Sequence, residues 1–207
     1  MMSREITEQE KFWSGDFGNE YTDRVQRKPG DRSGYFADMM SKMFGVWKIL
    51  ELGANRGVNL QSIRTLSQNY ELSGVEINEK AYAILKSLDA VKAYNSSIQD
   101  FTTDDRFDLV MILGVMIHLN PDDLPGVYQK MYDLSNRYIL INEYFNPVPA
   151  QLDYRGNDEK LYKRDFGGEF WDLHGDKVKL VDYGFFWKRV DPAWDNTTWW
   201  VFEKTGK

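Results

Sequence analysis

The chain has no cysteine and only two histidines among its 207 residues. The first absence excludes disulfides and thiol nucleophiles. Together the two shortages remove the usual donors of a zinc site, so no metal centre is expected. No apolar run approaches the roughly 18 residues of a membrane-crossing helix, and no membrane partner is expected. Basic residues are outnumbered, 26 Lys and Arg against 32 Asp and Glu, for a formal net charge of -6. A nucleic-acid partner, which requires a basic footprint, is disfavoured on that balance. Internal repeats, low-complexity tracts and linkers are also missing, and the length suits one domain of roughly 100–200 residues. Residues 1–10 are charged and show no apolar targeting stretch, so a cytoplasmic location is expected. Apolar and aromatic residues are plentiful, 42% and 15% of the chain, which is ample for a core.

Apolar strand-like runs alternate with helical spacing through the first 145 residues. Strands are expected at about 47–52, 71–77, 91–94, 107–113 and 138–142. Between them, Leu60, Ile63 and Leu66, and then Ala81, Ile84, Leu85 and Leu88, recur at helical intervals. Phe107 to Leu113 is apolar almost throughout, as a central parallel strand covered on both faces would be. The alternation predicts a parallel α/β sheet. Upstream, Thr7 and Glu10 fit a capping box that starts a short helix, which Gly15 and Gly18 should break. A helix is also expected over 33–45. Downstream, residues 146–170 read as loop and helix, followed by longer strands at 178–190 and 197–202.

The most informative segment is Lys48 to Gly57, an apolar strand ending in Glu51 and a glycine-bracketed turn that enters a helix at Val58. A second acid, Glu76, closes the next apolar strand. An acid roughly 20 residues beyond such a turn is where a ribose diol is held in nucleoside-binding folds. A dinucleotide site needs G-x-G-x-x-G so that backbone can close on a pyrophosphate. Here Gly53 and Gly57 stand four apart, Asn55 fills the middle, and no third glycine follows. Asn tolerates a positive φ, so the turn remains feasible. Glu51 at its mouth would repel a pyrophosphate and welcome a cation. S-adenosylmethionine, an adenosine carrying a sulfonium and an α-ammonium, has that composition.

Glu51-Leu-Gly-Ala-Asn-Arg-Gly57 resembles motif I of class I S-adenosylmethionine-dependent methyltransferases, with Asn55 in place of the usual middle glycine. Val75-Glu-Ile-Asn78 resembles the acidic strand end that follows motif I. Asn95-Ser-Ser-Ile-Gln-Asp-Phe101 resembles the loop that packs on adenine, and Phe107 to Pro121 the motif IV strand and turn. The flanks Phe12 to Arg24, Asn142 to Pro147, Tyr154 to Gly156 and Leu161 to Phe166 resemble the methylases associated with pseudaminic acid (nonulosonic acid) biosynthesis.

The resemblance implies a Rossmann-like α/β fold, a mostly parallel seven-stranded sheet with helices on both faces and a C-terminal antiparallel hairpin. It implies one domain over 1–207: an N-terminal helical lid or substrate segment over 1–45, a cofactor-binding core over 46–145, and an acceptor-side insertion with the hairpin over 146–207. The activity implied is methyl transfer from S-adenosylmethionine to an oxygen or nitrogen of a small polar acceptor, with a nonulosonic acid or nucleotide-activated sugar as candidates. S-adenosylhomocysteine would be the product. A non-catalytic binding module and, less favoured, a nicotinamide-dependent oxidoreductase are the alternatives.

On this reading Glu51, Gly53, Ala54, Asn55, Gly57, Glu76, Ile77, Ser97, Ile98, Gln99, Asp100 and Leu113 bind the cofactor, Glu76 through the ribose hydroxyls and Glu51 toward the ammonium end. His118, just beyond strand four, is the candidate base, since an ordinary imidazole titrates near neutrality. Tyr21, in the lid, is the candidate for a cation–π contact with the sulfonium. Arg24, Arg155, Lys163 and Arg164, with Glu143 and Tyr144 at the end of strand five, are assigned to the acceptor, most naturally an anionic sugar. Trp187, Trp194, Trp199 and Trp200 are expected to pack the hairpin or a homodimer contact.

Overall fold

Ile49, Leu50 and Leu52 in β1 (Lys48–Leu52) and every residue from Leu109 to Ile112 in β4 (Phe107–Leu113) are wholly buried, whichever face of the sheet they point to. Strands apolar on both faces belong at the centre of a sheet covered by helices on both sides. The computed structural model, which describes residues 4–25 and 27–206 apart from the side chains of residues 158 and 159, places them there. With β2 (Glu71–Glu76), β3 (Val91–Asn95), β5 (Ser135–Glu143), β8 (Val178–Phe185) and β9 (Thr198–Lys204) they form one seven-stranded sheet, in the order β3-β2-β1-β4-β5-β9-β8. All neighbouring pairs up to β5 are parallel; β9 runs antiparallel to both β5 and β8.

Two core layers follow from the pleat. On one face Ile49 and Leu109 meet Phe36 and Met39 of α3 (Ser33–Lys42), Leu60 and Ile63 of α4 (Val58–Arg64) and Leu85 of α5 (Glu79–Lys86). On the other, Leu50, Val110 and Ile112 meet Val127 and Met131 of α6 (Leu124–Leu134) and Phe166 and Phe170 of α7 (Phe166–His174). The chain runs β1, β2, β3 outward to one side and then returns to β4 and β5 on the other. The carboxyl ends of β1 and β4 therefore flank a switch point, where open α/β sheets leave a crevice.

The N-terminal segment lies across that end. Thr7 and Glu10 form both halves of the capping box that starts α1 (Glu8–Ser14), and Gly15 separates α1 from α2 (Asp16–Arg24). Gly18 does not break the helix as its sequence context suggested. It is buried inside α2, where a Cβ would collide with the Trp13 carbonyl and approach Asn78. The glycine permits contact between helices; it is not a turn.

Two further differences lie after β5. Residues 150–163, read as loop and helix, form a separate antiparallel hairpin, β6 (Ala150–Tyr154) and β7 (Asn157–Lys163). Its two-residue turn, Arg155-Gly156, has φ of 53° and 79°, the paired positive values of a type I′ hairpin. Polar strands without alternation hid it. β8 also stops at Phe185 instead of Val190, and residues 186–197 form a loop that turns back over the sheet end.

Candidate functional site

The turn after β1 is held by its own backbone. Gly53, Asn55 and Gly57 have φ of 74°, 48° and 74°. The amides of Gly53 and Ala54 both donate to the Val75 carbonyl at 2.9 Å, Gly57 donates to Ala54, and Asn55 donates to Glu76 Oε2 at 2.7 Å. Four loop amides are thus committed within the fold, and a pyrophosphate would find none of them free. A Cβ on Gly53 would lie 2.6 Å from Val115 Cγ2, so the turn after β4 approaches the turn after β1 only because this residue is glycine.

Glu51 and Glu76 line the resulting cleft, about 1100 Å³ of empty space including its solvent mouth. Glu76 accepts from the amides of Asn55 and Asn78, one on each oxygen at 2.7 Å, and each oxygen keeps a further lone pair. Burial raises its pKa while those hydrogen bonds oppose the rise. Glu51 is 1% exposed. Its Oε1 accepts from Asn59 Nδ2 at 2.6 Å, and its Oε2 is buried without a partner. Burial pushes the carboxyl up to about 8, against the Asn59 hydrogen bond and the charge of Arg32. A carboxylate in this state is stabilised by an arriving cation.

At the other end of the cleft, Ile77, Ile98 and Leu119 offer apolar surface beside Ser97 and Gln99. Lys130, half buried on α6, donates to the carbonyls of Ile98, Gln99 and Phe101 at 2.6–2.8 Å and so shapes this loop from behind.

The N-terminal helices close the cleft. Asn78 caps α5 through its side-chain oxygen and donates its amide to the Trp13 carbonyl and Asn19 Oδ1. Arg4 forks between Glu10 and Asp100 and reaches Ser97. Arg56 Nη1 donates to the Val25 carbonyl at 2.9 Å. Trp13 and Tyr21, with ring centroids 5.3 Å apart and edge to face, form the inner wall.

Beyond Tyr21, Leu113, Gly114 and His118, which line both spaces, a second cavity of about 1270 Å³ opens. Among the described residues its walls carry Arg24, Arg27, Arg32, Arg155 and Lys188 against a single acid, Asp195. Asp195 pairs with Lys188 at 2.6 Å and Arg27 at 3.5 Å. Those partners hold it below the usual carboxylate value although burial works the other way. The charge of the described side chains on these walls is therefore positive in sum. Asn142, Tyr144, Tyr154, Trp194 and Thr197 fill the rest. Asn142 Oδ1, Thr197 Oγ1 and Trp194 Nε1 are buried without hydrogen-bond partners.

His118 sits between Trp13 and Tyr154, 4.5 and 4.7 Å between ring centroids. Its Nδ1 lies 2.6 Å from the Lys160 carbonyl. A carbonyl can only accept, so Nδ1 carries the proton and Nε2 keeps its lone pair. Burial lowers its pKa to about 4, with the Lys160 contact opposing. The ring is a neutral hydrogen-bond acceptor at ordinary pH, and the partner of its Nδ1 is a backbone carbonyl, which stabilises an imidazolium less than a carboxylate would.

Among the residues singled out from sequence, Glu51, Gly53, Ala54, Asn55, Glu76, Ile77, Ser97, Ile98, Gln99 and Leu113 converge on the first cavity, and Arg24, Tyr144 and Arg155 on the second. Gly57 is set back and packs on α5, close to Leu85 and Leu88. Asp100 is turned outward to Arg4. Glu143 lines neither cavity. It is fully buried beneath the turn after β4, where its Oε1 accepts from Val115 and Met116, and burial raises its pKa to about 7. Lys163 stacks over Tyr144, and Arg164 pairs with Glu169 at 2.6 Å. Trp194, Trp199 and Trp200 are buried within the chain, and Trp187 is 53% exposed. Sequence reasoning missed Arg27, Arg32, Asn59, Asn78, Lys130, Lys188 and Asp195. Asn78 closes the strand-end motif quoted from the sequence, although no role was assigned to it, and Asn59 lies two residues beyond motif I; that proximity is the signal that could have found them.

Residues 49–137 match the family described as "Methyltransferase domain". No protein of curated function matches the sequence. The fold is similar to that of the solved 1,6-didemethyltoxoflavin-N1-methyltransferase of Burkholderia thailandensis, bound to 1,6-didemethyltoxoflavin and S-adenosylhomocysteine (14% identity over 99% of this chain and 94% of that one, TM-score 0.72). It is similar also to the plantazolicin methyltransferase BpumL with S-adenosylhomocysteine (14%, 96% and 94%, 0.69) and to the glycopeptide N-methyltransferase MtfA with the same ligand (12%, 92% and 98%, 0.65). The match to that family is confined to residues 49–137, and the fold as a whole is the Rossmann-like one of these solved structures.

Proposed function

We propose that the protein transfers a methyl group from S-adenosylmethionine to an oxygen or nitrogen of a small anionic acceptor. One observation carries the reading: Glu51, buried at the end of β1 with an unpartnered carboxylate oxygen and a raised pKa, lines a cleft in which the amides of Gly53, Ala54, Asn55 and Gly57 are already committed. That site favours a cationic, phosphate-free ligand and disfavours a nicotinamide dinucleotide. The donor's α-ammonium would meet Glu51, its ribose hydroxyls the remaining lone pairs of Glu76, and its adenine the apolar edges of Ile77 and Ile98. S-adenosylmethionine supplies a methyl on a sulfonium, which is displaced in line.

The chain's own residues would align the acceptor and exclude water, and alignment alone can supply roughly 7–11 kcal/mol. Tyr21 and Trp13 would cover the sulfonium side. The neutral His118 Nε2 would accept a hydrogen bond from the acceptor's O–H or N–H and so orient a lone pair toward the methyl. Arg24, Arg155, Arg27 and Lys188 would draw in the acceptor's anionic group. A nonulosonic acid or a nucleotide-activated sugar has that chemistry. The lid over 1–45, the core over 46–145 and the acceptor side over 146–207 divide the work, and a homodimer contact, if formed, would fall to Trp187. The test is calorimetry with S-adenosylhomocysteine and with NAD. Micromolar binding of the first, weakened at least tenfold by Glu51→Gln, supports the proposal; binding of NAD in its place would end it.

A further inference from the structure

The two cavities are joined by more than a shared wall. Glu51 Oε1 accepts from Asn59 Nδ2, and Asn59 Oδ1 in turn accepts from Arg32 Nη1, both at 2.6 Å. Arg32 Nε and Nη2 then donate to the Ala193 carbonyl, each at 3.1 Å. The guanidinium lies over the Trp194 ring, 3.7 Å from its centroid. Arg32 is 7% exposed, and it reaches α4 at one end and the 186–197 loop at the other. That loop supplies Asp195 and Thr197 to the second cavity. A three-residue chain of hydrogen bonds therefore connects the end of β1, where the donor's ammonium would sit, to the segment that shapes the acceptor side.

We infer that Arg32 is a positioning residue that couples the two halves of the site, so that donor occupancy orders the 191–197 segment and prepares the anion-binding cavity. The inference rests on the proposed donor site and goes beyond it. In the empty protein the far oxygen of Glu51 has no partner, and burial favours its protonated form. A cation placed there favours the carboxylate. A full negative charge on Glu51 polarises the Asn59 amide, which strengthens its acceptance from Arg32 and holds the guanidinium against Ala193 and Trp194; chains of hydrogen bonds in a low-dielectric interior reinforce one another in this way. The loop's ends are held by shorter bonds, Phe186 N–H to the Thr197 carbonyl at 2.8 Å and Lys188 N–H to Asn196 Oδ1 at 3.0 Å, whereas Trp194 N–H to the Asp191 carbonyl and Ala193 N–H to Asp191 Oδ1, next to the Arg32 contact, are 3.2 Å, which leaves room for ordering there.

The test is amide hydrogen exchange of the full chain with and without saturating S-adenosylhomocysteine, with inorganic phosphate as the probe of the second cavity. In the wild-type protein exchange should slow at 53–57 and 97–99, where the ligand sits, and at least fivefold at 191–197, with phosphate binding several-fold tighter when the ligand is present. Arg32→Lys keeps the charge but cannot span both Asn59 and Ala193. It should keep protection at 53–57 and 97–99 while losing it at 191–197, together with the gain in phosphate affinity. Asn59→Ala cuts the chain at its middle and should behave the same way, which guards against a folding defect peculiar to one variant. Protection of 191–197 that is absent in the wild type, or retained at the wild-type level in the variants, overturns the coupling and leaves the donor site standing. No protection at 53–57 and 97–99 overturns the donor site and the coupling with it.

Discussion

The two cavities meet at Tyr21 and His118 yet are built on opposite plans. The first, where the donor is proposed to sit, is a backbone structure. Its turn amides, the ends of β1 and β2 and the caps of α5 are bonded to one another over short sequence distances, and its side chains mostly complete those bonds. The second, proposed for the acceptor, is a side-chain structure, drawn from α2, the end of β5, the β6–β7 hairpin and the 186–197 loop, with cations facing an open space. The contrast teaches where tolerance should lie. A backbone site fails when one atom is added, whereas a side-chain site degrades by one contact at a time.

The sharpest way to break that contrast is Gly53→Ala. The residue has φ of 74°, and the added methyl would meet Val115 at 2.6 Å. Strain and overpacking should cost about 2–4 kcal/mol of stability by urea denaturation. Affinity for S-adenosylhomocysteine should fall at least a hundredfold by calorimetry; a tenfold change or less would mean the loop is not a backbone cradle. Glu76→Ala should weaken the same ligand at least tenfold, about 1.4 kcal/mol. An unchanged dissociation constant would remove Glu76 from the site.

A third expectation concerns pH. Glu51 is raised from 4.5 to about 8 in the folded protein. The folded state therefore holds a proton that the unfolded chain has released, and stability is lost as pH rises from about 4.5 to about 8, by at most about 1.4 kcal/mol per pH unit. Glu143, raised to about 7, and Glu76, also raised, add in the same direction. Ligand affinity should show the reverse, tightening by up to about tenfold per unit until pH 8, because the ammonium selects the ionised carboxylate. Thermal melts and calorimetry across pH 6–8 check both slopes, and Glu51→Gln should flatten the second.

On the acceptor side the effects should be smaller and separable. Arg155→Ala should raise KM for an anionic acceptor about fivefold with kcat nearly unchanged, whereas Lys163→Ala and Arg164→Ala should change it less than twofold. A larger effect from Arg164 than from Arg155 would invert the assignment. His118, held down to about 4, should leave no inflection near pH 6.5 in the rate profile.

The same contrast explains what could be read from the sequence. β1, β2 and β4 announce themselves through apolar runs buried on both faces, and Glu51, Gly53 and Glu76 through fixed offsets from those strand ends. Such signals survive because the chemistry is local. Arg27, Arg32, Lys188 and Asp195 carry no comparable mark, since their meaning comes from being brought together across more than 150 residues. Glu143 shows the converse. Its place at the end of β5 suggested contact with the acceptor, but the fold turns it inward to hold the amides of Val115 and Met116. Gly18 misled in the same way, because a glycine needed for close contact looks, in sequence, like one needed for a bend.

The fastening of the N-terminal helices has a kinetic consequence. Arg4, Asn78 and Arg56 stitch three separate points of residues 4–25 onto the rim of the cleft, two of them through charged side chains. On the proposed function, with residues 1–45 as a lid, full entry and departure of a nucleoside would require this seam to open. Ions in the medium weaken the Arg4 stitch by screening, so dwell time inside the cleft should shorten as ionic strength climbs.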